Sequence, residues 1–156
     1  MKNLNIFLLG VIYFSAINAE EITNFRPCLN SNCTIHKVSI NPCPEALDGN
    51  VCEIPLGESA SMVMEFTPHF STPNPKARFY GVNALIDVPL IDMDTNGCLY
   101  TSCPLQANVN HKFKYELVTS LLYPRGNHLS KLRVWDDSEN AKYEDQCCII
   151  YDVKLV

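Results

Sequence analysis

The sequence is poor in charge. Asp, Glu, Lys and Arg make up 19 % of its 156 residues, and acids outnumber bases by 17 to 12. Such a chain lacks the net basic face that displaces counterions from nucleic acid, so a nucleic-acid partner is not expected. The apolar share, 47 %, is too high for a disordered chain. Helical stripes are missing as well. No long stretch repeats apolar residues at helical spacing, and ten prolines interrupt most windows. With no internal repeat, low-complexity tract or linker, a chain of this length reads as one domain.

Catalytic signatures are equally scarce. The segment Gly57-Glu58-Ser59-Ala60-Ser61 lacks the second glycine of a nucleophile elbow. His36, His69, His111 and His128 are scattered, without an H-x-x-x-H pair. No glycine-rich phosphate loop occurs. The acidic cluster Asp136-Asp137-Ser138-Glu139 follows an apparent strand and reads as a solvated turn. The single tryptophan, Trp135, reads as a strand-packing residue. The expectation is a non-enzyme with no catalytic residue, no metal and no cofactor.

There is one long apolar run, Ile6 to Phe14, with Lys2 before it and small or polar residues after it up to Ala19. That order matches a secretory signal. It falls short of the roughly 20 residues needed to span a bilayer. Cleavage after Ala19 is expected, making 1–19 a signal peptide and 20–156 the mature domain, with no transmembrane segment.

Turn residues and cysteines are plentiful. Pro42, Pro44, Asp48-Gly49-Asn50, Pro55, Gly57, Pro68, Pro73-Asn74-Pro75, Pro89, Asn96-Gly97, Pro104 and Pro124-Arg125-Gly126-Asn127 punctuate the chain. Between them lie short alternating runs. Met62, Met64 and Phe66 share one face, as do Phe113, Tyr115 and Leu117. Leu132 and Val134 alternate with Lys131, Arg133 and Trp135. Ile149, Tyr151, Val153 and Leu155 share a face opposite Asp152 and Lys154. Period two with polar partners describes strands covered on one side, and many short strands imply an antiparallel sandwich or barrel.

Eight cysteines need a reason. Cys28/Cys33 and Cys98/Cys103 have spacings that would permit zinc. A secretory signal argues instead for disulfides. Spacing alone does not choose among the 105 pairings that eight cysteines allow.

The order of these landmarks resembles a known family. Cys28, then Asn41-Pro42-Cys43-Pro44, Cys52 and Gly57 open the pattern. Asn96-Gly97-Cys98 and Cys103-Pro104-Leu105 form its middle, and Tyr123-Pro124 with a terminal strand at Cys148 its end. The chain is similar to the ML lipid-recognition family, and most to its Niemann-Pick type C2 sterol-transfer branch. The resemblance implies an all-β, immunoglobulin-like sandwich of about seven strands, with a lipid cavity between the sheets. It implies bridges Cys28–Cys148, Cys43–Cys52 and Cys98–Cys103. Cys33 and Cys147 are extra to that pattern. Two outcomes stay open for them: a fourth bridge between them, or a local Cys28–Cys33 bridge with Cys147 taking another partner. Adjacent Cys147 and Cys148 point to opposite faces of a strand. No free thiol is expected.

By aligned position the resemblance places Leu90 and Tyr123 in the ligand pocket. Thr119 falls at a third position, with Val118 and Leu121 as rivals because the preceding strand is shifted. Alternation adds Met62, Met64, Phe66, Phe79, Phe113, Tyr115 and Leu117 as inward residues, for lining or for core. The implied function is secreted lipid binding and transfer, with a sterol, fatty acid or related lipid as ligand. A lipid-accepting membrane protein is a possible partner, and a monomer the default. The alternative is an innate-immune recognition protein that binds microbial lipid or presents lipid to a receptor, for which Lys112, Lys114, Arg125 and Lys131 would supply a basic rim. Secretion is expected, with the lysosomal lumen as the other destination. Asn32-Cys33-Thr34 makes Asn32 a glycosylation candidate, although its central cysteine works against occupancy.

Overall fold

The computed structural model describes residues 19–156, so the expected signal peptide, apart from Ala19, lies outside the described residues. Six long strands carry the fold: β3 (Cys33–Asn41), β5 (Ser59–Pro68), β6 (Lys76–Val82), β8 (His111–Val118), β9 (Gly126–Trp135) and β10 (Gln146–Leu155). Four pieces of two or three residues complete the set: β1 (Glu20–Glu21), β2 (Phe25–Pro27), β4 (Cys52–Ile54) and β7 (Asp87–Pro89). Two short 3-10 turns, Pro44–Asp48 and Gly97–Leu99, are the helical segments among the described residues.

The strands form two sheets. One runs β1-β3-β5-β8. The other runs β2-β10-β9-β6-β7, with β4 joining β10 in parallel just beyond β2. All other pairings are antiparallel. The architecture is the expected all-β sandwich. Strand β8 shows why the sequence folds this way. His111 and Phe113 are buried, Lys112, Lys114 and Glu116 are exposed, and Tyr115 and Leu117 are half-buried. Each alternating run therefore lays its apolar side against the other sheet, as in aligned sandwiches.

Along the inner faces the packing changes from one end to the other. Val38, Met64, Phe66, Phe113, Leu132, Val134 and Ile149 form a solid, fully buried end. Toward the opposite end the inner positions carry small side chains: Ala60 opposite Leu117, and Gly81 opposite Ser130. Small residues on the inner side of each sheet, Ala60 in one and Gly81 and Ser130 in the other, leave volume unfilled.

The disulfides resolve the open pairing. Cys33–Cys147 forms beside Cys28–Cys148, and the local Cys28–Cys33 alternative does not occur. Cys147 faces inward and is fully buried, so its bridge to Cys33 on β3 joins the two sheets through the core. Cys148 faces outward and ties β10 to the segment after β2 in its own sheet, where the Cys28 N–H also donates to the Cys148 carbonyl at 2.9 Å. Cys43–Cys52 and Cys98–Cys103 close short loops, and no described cysteine is free. The acidic cluster is a turn: Asp136 accepts hydrogen bonds from the Thr72 hydroxyl at 2.8 Å and from the Ser138 N–H and hydroxyl. Partial burial pushes its carboxyl up, but those bonds outweigh burial and hold it below the usual carboxylate range.

Candidate functional site

The unfilled end of the sandwich holds a cavity of about 540 Å³, within the range of small-molecule sites. Its sheet-one wall comes from Ile40, Ala60, Met62 and Leu117, and its sheet-two wall from Phe79, Ser130, Tyr151 and Val153. No Lys or Arg lines it among the described residues. Exposed lining residues mark the mouth: Asn83, Val88, Ile91 and Pro124. Beside it the β6–β7 turn presents Leu85 and Ile86, and the β8–β9 loop presents Leu121 and Leu122, all largely exposed. No described helix is long and apolar enough to cross a membrane.

Beneath the cavity lies an aromatic layer. Phe79 sits 5.1 Å from Tyr115 and 6.2 Å from Phe113, and Tyr100 lies tilted at 5.6 Å from Phe113 and edge-on at 5.3 Å from Tyr115. Offset and edge contacts of this kind add rigidity beyond area burial. Burial raises both phenols above their ordinary value, reinforced at Tyr100 by Asp94 and at Tyr115 by the Tyr100 and Tyr123 phenols and Asp92.

The mouth loop is pinned from inside. The Thr119 hydroxyl donates to the Pro55 carbonyl at 2.6 Å, and the Gly57 N–H donates to the Thr119 carbonyl at 2.8 Å. Gly57 has a φ of +80°, and a Cβ there would meet the Leu121 side chain at 3.0 Å. A larger residue would be strained in that backbone and crowd the loop.

The sequence-derived candidates divide into three groups. Leu90, Tyr123, Thr119, Met62, Phe79 and Leu117 line the cavity. Met64, Phe66 and Phe113 face inward but belong to the solid core, and Tyr115 packs behind Phe79. Val118 and Leu121, the rivals of Thr119, are exposed and outside the lining, because Val118 points to the outer face of β8 and Leu121 lies in the loop beyond it. The lysines do not gather into a rim. Lys112 pairs with Glu65 and Lys114 with Glu116 on the outside of sheet one, and Lys131 pairs with Asp87 in sheet two. Asn32 is half-buried, its backbone bonded to the Gln146 carbonyl and the His69 N–H.

Residues that the site reading missed include Ile40, Ile54, Gly81, Ser130, Val153 and Leu155, together with Tyr151. The alternation of the last strand had already put Tyr151, Val153 and Leu155 on one face. Ser130 and Gly81 carried no signal until the register set them opposite one another.

A two-sheet sandwich with an apolar space between its sheets defines the structural class. The model of the ML domain family matches residues 23–155, and the chain belongs to that family. It is 27 % identical over 141 residues to an MD-2-related lipid-recognition protein of Manduca sexta, covering 88 % of this chain and 87 % of that one. It is 26 % identical over 150 residues to the NPC intracellular cholesterol transporter 2 of Sus scrofa, covering 96 % and 93 %. Among solved structures, a Niemann-Pick type C2 protein from Japanese carpenter ant shares the fold, with a TM-score of 0.70 at 18 % identity over 85 % of this chain and 98 % of that one.

Proposed function

We propose that the chain is a secreted lipid carrier that reversibly encloses one small hydrophobic molecule, a sterol or a lipid of similar size, between its sheets. The observation that carries the reading is the apolar cavity of about 540 Å³ at the unfilled end of the sandwich. Names of similar proteins agree with it: one is a lipid-recognition protein and others are cholesterol transporters. Enclosing about 300 Å² of apolar ligand surface contributes about 7–8 kcal/mol gross. After association costs, that corresponds to roughly micromolar binding. The function needs no bond-making, only entry and exit at the mouth. Four disulfides suit an oxidising destination, outside the cell or in the lysosomal lumen. A lipid-accepting membrane protein is the natural recipient. Recognition of anionic microbial lipid is less well supported: of the four expected rim residues, Lys112, Lys114 and Lys131 are ion-paired on outer faces, which leaves Arg125, exposed beside Pro124 at the mouth.

The test is extraction of lipid from the purified protein with identification by mass spectrometry, followed by displacement of a fluorescent sterol and a fluorescent fatty acid. Co-purified lipid or saturable displacement is expected, and the lack of both would sink the carrier reading. Leu90→Asp should weaken uptake more than tenfold, because the ligand would have to desolvate a carboxylate. Unchanged uptake by the folded variant would remove Leu90 from the wall.

A further inference from the structure

Sheet two turns one face to the core and cavity and the other outward. On the outer face, residues alternate with buried Ala77, Phe79, Leu132, Val134 and Ile149. Register sets them in rows across the strands. One row holds Lys76, Trp135 and Gln146, and the next holds Arg78 beside Arg133. The third holds Tyr80, Lys131, Ile150 and Arg26. Five of the chain's 12 basic residues thus stand in three adjacent rows, although the chain as a whole is acidic. Arg26 is exposed, and the other four are half-buried. Neighbouring strands lie about 5 Å apart, and alternate residues of a strand about 7 Å apart, so these bases form a flat grid.

The carboxylates around this band do not neutralise it. Lys131 pairs with Asp87 on β7. Arg26, Lys76, Arg78 and Arg133 form no ion pair among the described residues. Asp94, Asp136 and Asp145, on the bordering loops, each accept a backbone N–H of their own turn. Asp152 lies one row beyond the band, beside Leu129. Arg78 and Arg133 are direct cross-strand partners, and like charges in that position cost stability. Neutral groups hold both in place. The Arg133 Nε donates to Gln146 Oε1 at 2.7 Å, and its guanidinium lies 5.0 Å from the Trp135 ring. Arg78 donates to the Met93 carbonyl at 3.3 Å, while its buried Nε has no partner.

We propose that this face docks a sulfated polysaccharide, its sulfates set against Arg26, Lys76, Arg78 and Arg133. A planar guanidinium meets an oxyanion through two parallel N–H bonds, and the shared field of clustered bases draws a polyanion to them. The flat grid suits an extended chain with repeated charges. An acidic peptide has no free strand edge to extend, since β7 and the segment to Asn96 border β6, and β2 and β4 border β10. An anionic bilayer lying on the face would run parallel to the sheets and turn the mouth, at their end, aside. A bound polysaccharide leaves that mouth open. Net charge conceals the band, because the 17 acids of the chain outnumber its bases elsewhere.

The test follows the anisotropy of a fluorescent heparin-type oligosaccharide as the purified protein is added. Saturable binding that weakens as salt rises is expected, as for a polyanion that releases counterions. The desulfated oligosaccharide should not bind. Arg26→Gln and Arg78→Gln should each weaken binding about 3- to 10-fold, and the two combined with Lys76→Gln more than about 30-fold. A control replaces Lys37, Lys112 and Lys114 by Gln on the outside of sheet one, where each is ion-paired. It removes the same charge and should leave binding within about twofold, since exposed pairs there act only at short range. No saturable binding at low salt, or an equal loss in the control, would overturn the assignment. So would tighter binding of poly-glutamate, a DNA duplex or phosphatidylserine vesicles. Near-UV circular dichroism checks each fold, and Arg26→Gln decides alone if the triple variant fails to fold. No lipid enters the measurement, so it stands or falls apart from the carrier reading.

Discussion

Met62 and Met64 lie two residues apart on one face of β5, yet they have different neighbours. Met64 is sealed in the solid end, while Met62 borders the cavity. Truncating Met64 to Ala should cost about 2–5 kcal/mol, as deletions in a filled core do. Met62→Ala should cost less, because the space beyond it is already empty, and it should admit bulkier ligands. Denaturant unfolding of the two variants compares these costs directly. The pair also shows what alternation reports: it identifies the inward side of a strand, but not which rung meets core and which meets cavity. That depends on the size of the residues opposite, such as Gly81 and Ser130, which only register brings together.

His111 carries a second consequence at this scale. Its Nε2 accepts the Gln106 N–H at 3.2 Å, and its Nδ1 lies 3.1 Å from the Ser102 hydroxyl. Burial pulls its pKa below the ordinary 6.5. Between the lowered value and 6.5 the unfolded chain binds a proton that the folded chain does not. Stability from the neutral ring is therefore complete above 6.5 and is lost as pH falls through that window. Thermal melts should show this loss on acidification, and His111→Gln, which keeps an acceptor and a donor, should flatten it.

At the scale of elements, β10 organises its sheet. It pairs with β9 along its whole length and with β2 and then β4 on its other edge. Its alternation was legible in the sequence, as were β8 and the inner face of β5. The edge pieces β1, β2, β4 and β7 were not, because two or three residues cannot display a period. The opposed directions of Cys147 and Cys148 also followed from the strand, although only the fold chose the partners. Replacing Cys33 and Cys147 together by Ala should cost on the order of 2–5 kcal/mol in denaturant unfolding. The same change at Cys98 and Cys103 should cost less, since that bridge closes a loop with a sequence separation of only 5.

Over the whole molecule, the two long-range bridges and the cavity occupy opposite ends. Cys33 begins β3 and Cys147 lies near the start of β10, whereas Ile40, Val153 and Leu155 reach the cavity at the far ends of those strands. Hydrogen exchange should accordingly be slowest around Cys33 and Cys147 and faster around Leu117 and Leu155. Added ligand should protect the second group selectively, and uniform protection would contradict a cavity confined to one end. Composition gave no hint of this polarity, since the same apolar residues serve both halves.

For the carrier proposed above, the bridge between the sheets bears on the return half of the cycle. After unloading, an unfilled sandwich is under pressure to close its gap or to come apart. With Cys33–Cys147 holding the sheets in register from the packed end, neither outcome need follow. In the proposed carrier the empty molecule would keep its shape for the next passenger, and a single fold would serve both directions of the journey.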